Sequence, residues 1–566
     1  MRYRFFLICF LTIFPFFLKS QNLIENEIPN KQGIILEKLV EENENIILFS
    51  VGSKRKEFDY NFKEIFKNKN FEQIKKFLID LPINNDNLIV QKLVYKILTS
   101  EFLIEDDKLT REQDLELFTI KINKLFQTAR FSDIDEIYSK TSLNFVNENL
   151  NLKRIEGYFL RNEYKNACSL LNKKSFVKSY KFGKFEIICN IIEQKFEKAR
   201  FNLSLLKERN EPGDSLFIDL CYSIIGDLKI SKSKVLSDNK NEIASLNPIL
   251  LSSLQLAEIS PKFEHVKDTS PSILTFILLS PSSDVDIKLY TAELLVKQER
   301  IDKPMLADIY QLSSFTTEEL ENAIRDYKKL SPLQSRSLLY QSLIRENNNE
   351  IKFELAKTLL RQADKDGLFT HIAYLIKDSI DYKKIQNLSE KEVQLIFKIY
   401  LSVKKIDEAE IFINSLNESQ NQKKYLLLLN LFKFLDNGIF FDKEIFNDYF
   451  DSKKKEDELI NKKNIYITIV SQVLFKEEID FSTILLDSSE DIDEIKVNSL
   501  NMIALIDVIE NRNYFNSFRV IFKTLKGKNF DELNIFEKIL IIKVLLKLDM
   551  NDEFKIFAKN ILLSIL

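Results

Sequence analysis

The chain has 566 residues, too many for one hydrophobic core of ordinary size, yet only 9 Gly and 10 Pro, where about 7% and 5% are usual. So little glycine leaves few turns with positive φ and no phosphate-cradling loop, which argues against sheet-rich and nucleotide-binding folds. The 82 Lys and Arg nearly balance 85 Asp and Glu and are interspersed along the chain, so no basic excess points to nucleic acid.

Residues 1–20, MRYRFFLICFLTIFPFFLKS, place Arg2 and Arg4 before an uncharged apolar run from Phe5 to Leu18, with Ser20 as the small residue at the cleavage point. That layout predicts a secretory signal peptide and hence an exported, most simply periplasmic, protein. The run is short for a membrane span, which needs roughly 20 apolar residues, and an uncleaved anchor is the alternative. Cys9 lies within the run, with too short an apolar stretch before it for a lipoprotein signal. Residues 21–55 read as a linker or short helix. After cleavage no integral span is expected, because stretches such as Ile539 to Leu548 are cut by Lys543 and Lys547.

From residue 56 to 235 apolar residues recur at i, i+3, i+4 and i+7, the pattern of amphipathic helices. One triplet returns: Phe71–Ile74–Leu78, Phe131–Ile134–Tyr138, Tyr164–Ala167–Leu171 and Phe196–Ala199–Leu203, then Ile406–Ala409–Ile413 and Phe515–Phe518–Phe522. Each copy is expected to open a helix, several after a polar break such as Lys67-Asn68-Lys69-Asn70 or Arg161-Asn162-Glu163. The central positions 134, 167 and 199 lie about one helix–turn–helix repeat apart. Cys168 and Cys189 fall on successive helices and could pair. Burial of Cys168, Cys189 and Cys221 as three small apolar side chains is the preferred reading.

Between 236 and 345 the pattern changes. Asn247-Pro248, Ser260-Pro261, Ser270-Pro271, Ser280-Pro281 and Ser331-Pro332 predict helix starts, with the polar residue at the N-cap and proline at N1. A distinct helical region that interrupts or re-angles the array is expected there. Helical periodicity resumes over 346–566, with exposed turns at Gly438 and at Asp451 to Asp457. The acidic cluster Asp487 to Glu494 lacks the glycine of a calcium loop and reads as a solvated loop. The final segment Ile561 to Leu566 reads as part of the last helix.

The segment Tyr158-(x5)-Tyr164-(x2)-Ala167-(x3)-Leu171 resembles the tetratricopeptide repeat. In that likeness Tyr158 matches the aromatic of the first helix, Tyr164 begins the second, and Ala167 is the small residue where they cross. Asn162 stands where the family often has glycine, and Tyr400, Ile406 and Ala409 repeat the scheme. The resemblance is strongest over 150–210 and weaker over 56–140 and 390–420. Other copies replace the crossing alanine with Ile or Phe. It implies an all-α fold, an α-solenoid of helical hairpins with an irregular helical middle, binding a protein partner on a concave surface. A less regular helical array is the alternative.

Catalytic equipment is not legible. His265 and His371 stand far apart, in no metal-ligand spacing. No Gly-x-Ser-x-Gly elbow occurs, and no cysteine has a local histidine. The expectation is therefore no catalytic residue, no cofactor and no metal ligand, with the binding residues unassigned. The rival reading is a cell-wall-active enzyme or its regulatory subunit. The chain is similar to the superhelical domain of lytic transglycosylases, but their catalytic glutamate–serine module and glycine-rich stretch have no counterpart.

Overall fold

The computed structural model describes residues 47–566 except 54–59, 86, 105–108, 142–147, 173–181, 210, 230, 232–234, 236–245, 417–421, 439–443, 446–469, 471–513 and 526–532. The signal segment 1–20, the charged stretch 451–457 and the acidic cluster 487–494 lie outside the described residues. The fold is all-α, with no strand among the described residues. Leu48 to Leu566 form one compact unit.

The helices of the first part are α1 (Phe71–Ile79), α2 (Leu88–Thr99), α3 (Arg111–Gln127), α4 (Phe131–Lys140), α5 (Glu148–Leu160), α6 (Tyr164–Leu171), α7 (Gly183–Ile192), α8 (Phe196–Arg209) and α9 (Ser215–Ile224). Then follow α10 (Pro248–Leu256), α11 (Phe263–Val266), α12 (Pro271–Leu279), α13 (Val285–Lys297), α14 (Lys303–Tyr310), α15 (Thr317–Glu321), α16 (Ala323–Asp326) and α17 (Pro332–Arg345). The remainder comprises α18 (Asn349–Lys365), α19 (Phe369–Ile376), α20 (Glu390–Ser402), α21 (Ile406–Asn414), α22 (Gln422–Asn437), α23 (Tyr514–Thr524), α24 (Ile535–Lys547) and α25 (Asn551–Ser564).

All six triplets open helices. Phe71, Phe131, Tyr164, Phe196 and Ile406 are first residues of their helices, and Phe515 is the second of α23. Ala167, Ala199 and Ala409 are fully buried, as close helix crossing requires. Among the described residues six hairpins share a three-residue connector: α3–α4, α5–α6, α7–α8, α18–α19, α20–α21 and α24–α25. In each the middle residue is left-handed, with φ between 56° and 69°: Ala129, Asn162, Gln194, Gly367, Lys404 and Asp549. The next amide then donates back to a carbonyl five residues earlier, as in Glu163 to Tyr158 at 2.8 Å and Lys405 to Tyr400 at 2.9 Å. This is the Schellman closure, which satisfies a carbonyl left open at a helix end. Only one of the six middle residues is glycine, so the other five carry the strain of a side chain in that region.

Successive hairpins pack together: α6 on α7, α8 on α9, α19 on α20 and α21 on α22. The middle segment folds back on the first part, α10 against α5 and α7, and α12 against α3 and α5. Of the five polar–proline pairs, three start helices. Asn247 and Ser331 accept the amides of Leu250 and Gln334, and Pro271 is the first residue of α12. The other two correct the expectation. Ser280 caps the end of α12, its amide bonded to Phe276, and α13 begins only at Val285. Ser260 follows the left-handed Glu258 at the end of α10 and accepts the amide of Asp284. Proline cannot continue a helix, so the same dipeptide serves as a stop.

Contacts also join residues far apart in sequence. Phe62 stacks on Phe518 and Phe66 and Phe77 meet Phe515. Lys96 on α2 pairs with Glu553 on α25 at 2.9 Å, where Glu553 is 1% exposed. Helix α25 also packs on α20 and α22, and Ile561, Leu562 and Ile565 are buried. At the start of the unit, Lys121 donates to the carbonyls of Phe49, Val51 and Ser100, and Asp114 accepts the amides of Leu48 and Phe49. Gly52 runs so close to the Thr99–Glu101 backbone that a Cβ would lie 2.6 Å from it.

The cysteine reading is corrected. Cys168 on α6 and Cys189 on α7 form a disulfide, with Cα atoms 5.6 Å apart, because the stacked hairpins bring these helices together. Both are still buried in the core, and Cys221 in the same cluster stays a buried free thiol whose pKa burial pushes up.

Gln194→Gly and Lys404→Gly should each raise the unfolding free energy by about 0.5–1 kcal/mol, since glycine meets no Cβ penalty at positive φ. Urea denaturation reads the gain. Replacing Cys168 and Cys189 together by Ala should lower it by about 3 kcal/mol, from the freedom returned to the 21-residue loop in the unfolded chain. Addition of a thiol reductant to the unsubstituted protein should reproduce that loss.

Candidate functional site

Three hairpin turns converge on one cavity of about 350 Å3. The α3–α4 turn contributes Ala129, Arg130 and Phe131, the α5–α6 turn Leu160 and Arg161, and the α13–α14 turn Glu299 and Arg300. Thr275 and Leu279 of α12 complete the wall. Arg130 and Arg300 hold equivalent places, each directly after a left-handed residue. Their amides make the turn-closing bonds, Arg130 to Leu125 at 3.0 Å and Arg300 to Leu295 at 2.8 Å. The backbone of the turn thus fixes where both side chains start.

The guanidiniums differ in what satisfies them. Arg161 donates to Asp135 at 2.8 Å and lies 3.1 Å from Glu163. Arg130 lies 3.8 Å over the Tyr95 ring, whose hydroxyl donates to Asp133 at 3.4 Å. Arg300 donates through Nη2 to Gln91 Oε1 at 3.0 Å, while its Nε and Nη1 are shielded from solvent without an acceptor. Gln91 commits its own Nε2 to the carbonyls of Ile83 and Asn85. Burial lowers the Arg300 pKa to about 9 and the Arg130 charge adds to this, while Tyr95, Asp133 and Glu299 oppose it. Thr275 spends its hydroxyl on Pro271 O at 2.8 Å. The wall therefore offers cationic donors beside apolar surface from Phe131, Leu160 and Leu279.

A second cavity, of about 310 Å3, shares Glu299 and is lined by Val296, Ile301, Asp302, Lys303, Pro304, His371 and Tyr374. His371 lies on α19, and its Nδ1 is buried without a hydrogen-bond partner. His265 serves α11 instead, its Nδ1 accepting the Lys262 amide at 3.1 Å. An ion cluster around the buried Arg336 and Glu293 is structural. Arg336 on α17 meets Glu293 of α13 through two donors and also Asp366, and Tyr310 of α14 donates to Glu293 at 2.9 Å. Every partner there is met within the cluster.

Among the described residues no group of three His, Cys, Asp or Glu side chains could hold a metal ion, and no helix is long and apolar enough to cross a membrane. No family model, no curated protein and no solved structure matches the chain. Sequence reading missed both cavities. The available signal was an arginine directly before a second helix, at Arg130-Phe131, but the turn that brings Arg300 beside it comes 170 residues later.

His371 is held down to about 4, first by burial and then by the charges of Lys303 and Lys297. Its ordinary value is near 6.5, so the unfolded chain binds the proton more readily. The stability it contributes is whole above pH 6.5 and is lost as pH falls to about 4. His371→Asn should make the fall in unfolding free energy over that window shallower by roughly 2 kcal/mol. Equal falls in both proteins, measured by denaturation at pH 6.5 and 4, would refute the assignment.

Proposed function

We propose that the protein is an exported, non-catalytic scaffold whose helical hairpins stack as a tetratricopeptide-like solenoid and hold a protein partner on their concave face. The observation that carries this reading is the three-residue connector repeated in six hairpins, with one left-handed residue and one backward hydrogen bond each. A unit repeated with constant turn geometry enlarges a binding surface without new chemistry. The buried alanines at the helix crossings and the 33- and 32-residue steps between Ile134, Ala167 and Ala199 support the tetratricopeptide-like form. The contacts of α2 and α23 to α25 with one another and with the 60–102 segment then act as a seam that closes the stack.

Export is supported by the apolar run Phe5 to Leu18 and by the Cys168–Cys189 disulfide, since such bonds persist in oxidising compartments. With export comes a periplasmic location and removal of residues 1–20.

The test is photo-crosslinking in cells from exposed positions on separate hairpins, Phe201, Ile351 and Ile411, the first of them 62% exposed. One and the same protein should be captured from at least two of these positions. Adducts of the chain with itself alone would count against the scaffold reading. Clearing of purified peptidoglycan by the purified protein would defeat its non-catalytic part.

A further inference from the structure

Segment 48–53 lies in a cleft formed by the end of α2, by α3 and by the end of α4, and the bonds that hold it there reach its backbone. Asp114 accepts the amides of Leu48 and Phe49, each at 2.8 Å. Lys121 donates to the carbonyls of Phe49 at 3.3 Å and Val51 at 2.7 Å, and Lys140 to that of Gly52 at 2.6 Å. The Phe102 amide donates to the carbonyl of Ser50, and the Ser53 amide to that of Thr99, both at 3.0 Å. Asp114 and Lys121 stand seven residues apart on α3, two turns along one side, so a carboxylate and an ammonium bracket the segment. We propose that this cleft is a peptide-binding site that exchanges its occupant: two copies of the chain dimerise, each seating its segment 48–53 in the cleft of the other.

The buried charges make the occupant exchangeable. Lys121 is fully buried and Asp114 is 9% exposed. Among the described residues neither meets an opposite side-chain charge within ion-pair distance, and nearby Glu101 is paired with Lys63 at 3.2 Å. A buried charge is costly unless it is hydrogen-bonded, and here peptide amides and carbonyls supply the bonds. Burial lowers the Lys121 pKa to about 7 against the pull of Glu101, a sign of the hydration withheld from it. Once the segment leaves, water reaches both charges, so the open cleft costs less than an apolar one would. Amides and carbonyls are common to every peptide, so selection falls on Phe49 and Gly52. Phe49 is fully buried against Phe66 and Phe102, with ring centroids 5.5 and 5.0 Å away. At Gly52 the Thr99–Glu101 backbone leaves no room for a Cβ. Of the 9 glycines in the chain, Gly52 alone follows a phenylalanine by three residues. The occupant this cleft fits is therefore the same segment of a second copy, which makes the same bonds, so exchange sacrifices none of them.

Heavy-isotope and light copies of the purified full chain, each with a diazirine amino acid in place of Val51, test this. They are mixed at high concentration in mild urea, returned to buffer and irradiated. Adducts from position 51 of a heavy copy to α3 or residues 99–102 of a light one, with a dimer mass by light scattering, are the expected result. An excess of a fluorescent peptide of residues 48–53, added during the urea step, should suppress these adducts at least tenfold without any variant. Gly52→Ala should expel the segment, with at least tenfold less dimer and adduct and an unchanged helical circular-dichroism signal. Its emptied cleft should bind the fluorescent peptide at least tenfold more tightly than the unsubstituted protein does. The same peptide with alanine in place of glycine should bind that variant at least tenfold more weakly. Adducts within single copies only, heavy–light adducts that persist under excess peptide, a dimer untouched by Gly52→Ala, or no saturable peptide binding by the folded variant each overturns the proposal. These readouts use the chain alone, so failure of the scaffold reading would leave them intact.

Discussion

A single backbone hydrogen bond sets the geometry of each hairpin: the amide after a left-handed residue donates to a carbonyl five residues back. It ends the first helix, reverses the chain in three residues and starts the second helix without any side-chain cap. At Arg130, Glu163, Lys405 and Met550 the residue before the second helix makes no side-chain capping bond. Everything stacked on these hairpins inherits their angle. The cost is a side chain held at positive φ in five of the six connectors, about 0.5–1 kcal/mol at those other than Asn162, whose short polar side chain suits that region. A chain with 9 glycines in 566 residues accepts that strain, and the burial of alanine, leucine and phenylalanine between helices offsets it.

A stack of hairpins in which each touched only its neighbours would hold together locally and nothing more. Here distant segments meet as well. The aromatic cluster of Phe62, Phe66, Phe77, Phe515 and Phe518 and the ion pair Lys96–Glu553 join the first described helices to the last. Loss of either segment therefore exposes buried rings on the other. The disulfide between α6 and α7 does the corresponding work within the first part, and the Glu293–Arg336–Asp366 cluster does so across α13, α17 and the turn after α18.

The same turns that shape the hairpins also place charge. Residues after a left-handed position start from a fixed backbone, so a long side chain there reaches a predictable distance. Where three turns meet, Arg130, Arg161 and Arg300 are brought to one wall from turns far apart in sequence. Arg161 meets two acidic side chains, Asp135 and Glu163, while Arg300 meets the neutral Gln91, and that difference gives the cavity wall its chemical character.

The sequence by itself determined the local structure. Apolar spacing and scarce glycine specified helices, and the recurring triplets marked where helices open, because each of these depends on neighbours within one or two turns of chain. The serine–proline pairs were legible only in part: Ser331 starts a helix and Ser280 ends one, and proline fits either place. Tertiary structure alone decided the rest. Cys168 reaches Cys189 only because two hairpins stack, and Phe66 reaches Phe515 only because the last helices return to the first. Arg300 lies beside Arg130 through the folding back of α12 and α13. The first of these pairings depends on how two neighbouring hairpins pack and the others on the summed angles of many, quantities that no local stretch of sequence carries.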